Sequence, residues 1–262
     1  MIMDVLAALE TAITARIDGA PDLRFGVLDF DNTCIVNDVG EATLAFMCRN
    51  QLLRYRELLP SGAQPCDRGY HERVFRHYHH VLNRGDIRTA SLLCARIFAG
   101  FRHDEAQASV SAALDAEGDV PGETELYGIR IARGLAARPG LRRLIDFAKA
   151  SNVQTWIVSA SPAIAVQTAM QRFGLSGNLI ALRHRIDNEI LSHAIDEPHS
   201  IAEGKVDCIK TFVHRSRRPL FAVGDSIHDL AMVDYAELGA VVECDNALTQ
   251  EARRRGWFLL PS

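Results

Sequence analysis

Asp29 and Asp31 stand two residues apart at the end of the apolar run Phe25-Gly26-Val27-Leu28, and Asn32 and Thr33 follow them. Residues two apart in a strand point to the same side, so the two carboxylates would face one crevice. A buried carboxylate must be paired, solvated or bound to a metal to offset its desolvation. Three further stretches place polar groups where an apolar run ends or a helix begins. They are Ser159-Ala160-Ser161, Gly204-Lys205, and Gly224-Asp225-Ser226-Ile227-His228-Asp229. Together these residues hold what aspartate-based phosphoryl transfer needs. One carboxylate would be the nucleophile, and a second would exchange protons with leaving group and water. Hydroxyls and a lysine would hold phosphate oxygens. The remaining carboxylates suit a hard, oxygen-seeking cation such as Mg²⁺. Each residue also has an ordinary reading: an Asp/Asn turn, a Ser159 that shares helix capping with Ser161, a surface lysine with Lys210 as rival, and Asp229 at a helix start.

The elements that must position them alternate. Residues 3–17 carry Val5, Leu6, Leu9, Ile13 and Ile17 at helical spacing, and Pro21-Asp22 would end that helix. A strand over 25–30 follows. From residue 36 to about 135 the apolar spacing is helical throughout, with candidates at Val39–Leu53, Tyr70–Leu82, Arg88–Phe101 and His103–Glu117, a loop at Pro60–Pro65, and almost no β-rich run. From Pro139 onward, helical stripes alternate with strands at 153–158, 179–182, 220–223 and 239–243, and a hairpin is expected around Asp187-Asn188-Glu189. Ser161-Pro162 would open the helix that ends at Gly174. Such alternation implies a parallel sheet covered on both faces, and ligands of such sheets bind outside the carboxyl ends of the strands. The helical block is inserted at that crevice, where it would act as a lid.

The chain has 262 residues, 48% hydrophobic and 24% charged, with ample material for a core. A net charge of −4 provides no basic field for nucleic acid. Six scattered cysteines without a Cys-x-x-Cys pair favour reduced thiols. The first ten residues lack the basic and apolar regions of a signal peptide, and no stretch approaches the roughly 20 apolar residues of a membrane span. The expectation is a cytoplasmic protein, monomer or homodimer, with neither nucleic acid nor membrane as partner.

At these residues the chain resembles the haloacid dehalogenase superfamily, whose four motifs stand in order as Asp29–Thr33, Ser159, Lys205 and Gly224–Asp229. The phrases around Ser159 and Asp225 are similar to the phosphoserine phosphatase-like branch. The resemblance implies an α/β fold: a Rossmann-like parallel-sheet core formed by residues 1–35 and 136–262, with an inserted α-helical C1 cap at 36–135. Asp31 implies phosphatase chemistry, since members that cleave carbon–halogen bonds lack it. Position by position, Asp29 looks like the nucleophile and Asp31 like the general acid/base, with Lys205 paired to Asp29 and the phosphate. Thr33, Ser159 and Asn32 would bind the phosphoryl group. Mg²⁺ would be held by Asp29, the Asp31 backbone carbonyl, Asp225 and Asp229.

The segment Asp31 to Glu41 is also similar to phosphorylcholine phosphatases, and this implies that Glu41 helps to hold a cationic head. Asp38, Glu41 and His228 are therefore candidates for substrate choice, and Tyr55, Tyr70, Tyr78 and Tyr127 are available for aromatic contact with a cation. A phosphoserine carboxylate would need a cation, and Arg73, Arg76, Arg84 and Arg88 are available. His71, His77, His79 and His80 lack the spacing of a metal site and read as a solvated or substrate-facing helix. The expected function is Mg²⁺-dependent hydrolysis of a small phosphorylated metabolite, phosphoserine- or phosphorylcholine-like. The rivals are a phosphotransferase using the same phosphoaspartate and a non-enzymatic binding or regulatory module.

Overall fold

A computed structural model describes residues 4–17, 24–60 and 64–262. Helix α1 (Val5–Ile17) precedes β1 (Phe25–Leu28). After a tight turn, β2 (Ile35–Val36) leads into α2 (Val39–Arg49), α3 (Tyr70–Asn83), α4 (Ile87–Arg96) and α5 (His103–Glu117). The hairpin β3 (Gly122–Leu126) and β4 (Ile129–Arg133) and the short β5 (Ala136–Ala137) complete this stretch. Alternation then begins with α6 (Pro139–Ala150), β6 (Gln154–Pro162), α7 (Ala163–Phe173) and β7 (Asn178–Leu182). The hairpin β8 (His184–Asp187) and β9 (Ile190–Ile195) precedes α8 (Gly204–Phe212) and β10 (Phe221–Gly224). The chain closes with α9 (Leu230–Tyr235), β11 (Leu238–Val242), α10 (Ala247–Arg255) and β12 (Phe258–Leu260).

The main sheet is six-stranded and parallel, in the order β12-β11-β10-β1-β6-β7. Its central strands are apolar at every position because both faces are covered. Leu28, Phe221, Val223, Ala240 and Val242 face the layer that holds Leu9 of α1, Leu144 of α6 and Val166 of α7. Phe25, Val27, Ala222 and Val241 face Ile209 of α8, Met232 of α9 and Leu248 of α10. The alternation along each strand therefore decides which helix layer a residue meets, not whether it is buried. Among the described residues no helix is long and apolar enough to cross a membrane, and all six cysteines are free.

The helices α2–α5 sit over the carboxyl end of β1. The chain enters them through β2 and returns through β5, and these two strands pair antiparallel, Ile35 with Ala137 and Val36 with Ala136. Asn37 ties the crossing by donating from its side-chain amide to the carbonyls of Arg133, at 2.9 Å, and Gly134, at 2.8 Å. On the opposite side the β8–β9 hairpin grips the turn after α4: Gly100 N–H donates to Leu191 O at 2.9 Å, and Leu191 N–H donates to Phe101 O at 2.8 Å. The inserted helices share one continuous apolar core with the sheet, in which Leu44, Phe75 and Phe98 join Leu28 and Phe30.

Several expectations need correction. The inserted block is not free of β-structure, because Gly122–Arg133 forms a hairpin turning through Tyr127 and Gly128, both at positive φ. Its strands are short and interrupted by Glu123, Glu125, Arg130 and Arg133, so they lack an apolar run. Ser161 does not cap a helix: β6 continues through Pro162, and Ser161 turns to Asp31 instead. The helix from Val39 stops at Arg49, and α4 stops at Arg96. The expected break at Pro21-Asp22 and residues 61–63 of the Pro60–Pro65 loop lie outside the described residues.

Candidate active site

Three strand ends and one helix start converge. Asp29, the residue after β1, is 6% exposed, and its N–H donates to Val223 O of β10 at 2.9 Å. Lys205, in the first turn of α8, is 2% exposed and donates from Nζ to Asp29 Oδ1 at 2.5 Å and to Asp229 Oδ1 at 2.6 Å. Thr33 Oγ1 donates to Asp225 Oδ1 at 2.9 Å, and Asn246 Nδ2 donates to the Asp225 carbonyl at 2.7 Å. Asp229 Oδ2 accepts from the backbone N–H groups of Asp225 and Ser226 at 3.2 Å, and this closes the turn after β10. The backbone makes the approach feasible at Gly224, where a Cβ would collide with the Asp229 side chain. Between Asp29 and Thr33 the chain reverses through Asn32 at φ 56, a conformation Asn tolerates.

Asp31 faces a different way from the Asp29 cluster. Its Oδ1 accepts from Val39 N–H at 2.7 Å, at the start of α2. Its Oδ2 accepts from Ser161 Oγ at 2.7 Å and from Ser159 Oγ at 3.3 Å. Ser159 Oγ also accepts from Ser161 N–H at 3.0 Å, and Ser159 is fully buried. Above these groups lies a cavity of about 300 Å³, roofed by Tyr78, Leu82, Ile87, Ala90 and Cys94 and walled by Asp38, Glu41 and His228. A larger open groove of about 770 Å³ runs along α7 and the β8–β9 hairpin, but no carboxylate lines it.

The cavity is strongly acidic. Asp29, Asp31, Asp38, Glu41, Asp225 and Asp229 all line it, against Lys205 as the one lysine or arginine among its described lining residues. Burial, and then Asp229, push Asp29 up to about 6. Burial, Asp29 and Asp229 push Asp225 up to about 8. Burial raises Asp31 well above the usual carboxylate range, with Asp38 and Asp29 adding to it. Burial pulls Lys205 down, but Asp229 and Asp29 outweigh it and raise it above the usual lysine range. Acids so short of counter-charge mark a site built for positive partners. Oxygens of Asp29, Asp225 and Asp229 lie within 4.8 Å of one another, an all-carboxylate donor set that fits a hard divalent cation.

The profile of the haloacid dehalogenase-like hydrolases matches residues 27–234. The chain belongs to this family. Among curated relatives, it is 28% identical over 137 residues to a Mycobacterium leprae protein carrying a provisional hydrolase name; the match covers 51% of this chain and 44% of that one. It is 26% identical over 121 residues to the phosphoserine phosphatase SerB1 of Mycobacterium tuberculosis, covering 45% and 39%. The matches thus span less than half the length of these relatives. A solved structure of a functionally unknown Anaerococcus prevotii protein superposes with TM-score 0.68 at 20% identity, covering 97% of this chain and 91% of that one. A substrate-bound phosphoserine phosphatase superposes with TM-score 0.54 at 14% identity, covering 92% and 94%. The fold is therefore that of haloacid dehalogenase-like hydrolases, phosphoserine phosphatases included.

Within this haloacid dehalogenase-like site, Asp29, Asp31, Asn32, Lys205, Asp225, Asp229, Asp38, Glu41 and His228 all line one cavity, with Thr33 and Ser159 just beneath. Lys210, the rival lysine, is exposed and lies over the Tyr235 ring. The Asp31 carboxylate is not part of the carboxylate cluster around Asp29. Asp38 also caps α2, accepting from Glu41 N–H at 2.8 Å. Of the four tyrosines, Tyr78 alone lines the cavity: Tyr70 donates to Tyr55 O, Tyr127 donates to Cys48 O, and Tyr55 stacks on His193. Arg73, Arg76, Arg84 and Arg88 are exposed and none lines the cavity. His71 and His79 are buried rather than solvated, because they lie on the apolar face of α3 with Tyr70, Val74, Phe75 and Tyr78. Sequence reasoning missed Ser161 as a partner of Asp31, although the Ser-x-Ser spacing on one strand was the available signal.

Proposed function

We propose that this haloacid dehalogenase-like hydrolase cleaves a small phosphomonoester through a phosphoaspartate at Asp29. The observation that carries the reading is the buried contact of Lys205 with both Asp29 and Asp229, beside the Thr33–Asp225 pair. That arrangement aims a carboxylate and an ammonium at one point and surrounds them with groups suited to a phosphoryl oxygen and a divalent cation. Asp29 attacks phosphorus while the bond to the leaving oxygen breaks, and Asp31 gives that oxygen its proton. Asp31 then takes a proton from water, the water oxygen bonds to phosphorus, and the Asp29–phosphorus bond breaks to release inorganic phosphate. Lys205, Thr33, Asn32 and Ser159 hold phosphoryl oxygens or the groups beside them. Mg²⁺ would be held by Asp29, Asp225 and Asp229 with the Asp31 carbonyl, and would supply charge that neutralises those oxygens.

The lining supports a cationic, amino- or ammonium-bearing leaving group. Asp38 and Glu41 stand on the cap side with Tyr78, while no arginine is among the described residues that line the cavity. A phosphorylcholine-like ester fits this better than phosphoserine. The test is steady-state release of phosphate with Mg²⁺ from phosphorylcholine, phosphoethanolamine, phosphoserine and sugar phosphates. Asp29→Asn is expected to lose more than about a thousandfold in kcat. Equal turnover by wild type and Asp29→Asn would overturn the reading, and phosphate release only in the presence of an acceptor alcohol would replace hydrolysis with transfer.

A further inference from the structure

At the cap end of the cavity, Glu41 of α2 reaches a histidine that does not itself line the space. His79 of α3 is 8% exposed, and its Nε2 is fully buried without a hydrogen-bond partner among the described residues. The nearest carboxylate oxygen, Glu41 Oε1, lies 3.5 Å away. A buried ring nitrogen left unpaired is unfavourable, and a small movement of Glu41 would satisfy it. The ring cannot turn away freely. It is held edge-on by Phe75, with centroids 4.5 Å apart, and by Tyr78, at 5.1 Å. The histidine thus offers Glu41 a fixed partner, and Glu41 offers the cavity its cap-side carboxyl.

We propose that His79 is the positioning residue for Glu41, and that the pair, rather than Glu41 alone, sets the preference for phosphate esters whose leaving group is cationic and lacks a carboxylate. This deepens the phosphatase reading and rests on it. Burial, Asp38 and Glu117 push Glu41 up to about 8, and burial pushes His79 down. At neutral pH Glu41 therefore keeps its proton beside a neutral His79 ring, whose Nε2–H would donate to Glu41 Oε1 once the two close up, a bond that strengthens when Glu41 ionises. A bound cation takes the proton's place: Glu41 ionises, the proton leaves to solvent, and no covalent bond to substrate forms. The groups facing Glu41 are Asp38 just before α2, Tyr78 and His79 from α3, Cys94 from α4 and Glu117 from the end of α5. Burial and the nearby acids hold Tyr78 and Cys94 in their neutral forms. The acids among these groups all oppose ionisation of Glu41, so a cation has most to gain there, and affinity should strengthen as pH rises through about 8.

The experiment compares phosphorylcholine with 3,3-dimethylbutyl phosphate, its uncharged isostere, and adds calorimetric titration with choline in two buffers of different ionisation enthalpy. For wild type, the ratio of kcat/KM for the cationic ester to that for the isostere should climb with pH. His79→Leu should lower that ratio about tenfold at pH 7, weaken choline by a similar factor and shift the pH profile upward, while His79→Gln recovers most of the loss. Glu41→Gln should abolish both the pH dependence and the proton release. A loss shared equally by both esters in His79→Leu, or choline binding insensitive to His79, overturns the proposal and leaves the phosphatase reading intact. Choline binding that responds to His79 in a protein that hydrolyses neither ester sustains the pair and sinks the phosphatase reading.

Discussion

Asp31 separates two kinds of carboxylate at this site. Asp29 and Asp229 are paired with an ammonium, whereas Asp31 is held by two serine hydroxyls and a backbone N–H and sits beside two other acids. Such surroundings favour a carboxyl that keeps its proton until a leaving oxygen accepts it. Asp31→Asn should therefore lower kcat about a hundredfold or more on an alkyl phosphate. In the first turnover the same variant should release p-nitrophenolate from p-nitrophenyl phosphate with much less loss, since the phenolate leaves without protonation, while the later hydrolysis step slows on both esters. Pre-steady-state release of the two alcohols measures the difference, and an equal loss on both would remove Asp31 from the acid role. Ser161→Ala is the companion change at this scale. Its direct bond to Asp31 was not legible in the chain, because a serine next to a proline reads as a helix cap until the strand is seen to run on through Pro162.

At the scale of elements, the site depends on where helices begin. Lys205 reaches two carboxylates because α8 starts tight against the preceding loop. Gly204 N–H donates to Ile201 O at 2.9 Å, and a Cβ at Gly204 would collide with the His199 carbonyl oxygen. Gly204→Ala is thus expected to push the first turn of α8 outward, destabilise the fold by about 1–3 kcal/mol, and reduce kcat more than KM, since Lys205 would lose its aim. Urea unfolding and kinetics on the same variant check both parts, and an unchanged kcat would show that the lysine does not need this placement. The glycine was visible beside the lysine in the sequence. Its reason was not, because the collision is with a residue whose position is set by the loop after β9.

The whole molecule ties its inserted helices down twice. The β2–β5 pairing fastens one side and the β8–β9 hairpin fastens the other, and one apolar core runs through both layers. The fold should therefore melt in a single transition rather than shed α2–α5 first. A divalent cation at the three carboxylates would relieve repulsion that the apo site carries. At a hundredfold excess over its Kd it should add about 2.7 kcal/mol, a rise of roughly 5–10 °C in Tm for a chain of this size. Thermal unfolding with Mg²⁺ against EDTA measures it, and Asp225→Asn should abolish the rise. A shift that persists in Asp225→Asn would place the ion elsewhere.

Sequence by itself determined the alternating parallel architecture, because strands buried on both faces must be apolar at every position and their polar ends then stand out. It also pointed to the proposed reacting groups: Asp29, Asp31, Thr33, Lys205, Asp225 and Asp229 are polar residues at strand ends or a helix start, where a buried core has no structural use for them. The tertiary structure decided which groups meet. Residues 128 to 192 positions apart in the chain are brought into hydrogen-bond contact around Asp29, Asp31 and Asp225, and no local pattern encodes such distances. It also decided which residues of α2 and α3 meet the cavity. Helix periodicity identifies the buried face of α3, but only packing separates Tyr78, which lines the cavity, from Tyr70, which does not, and brings His79 to Glu41.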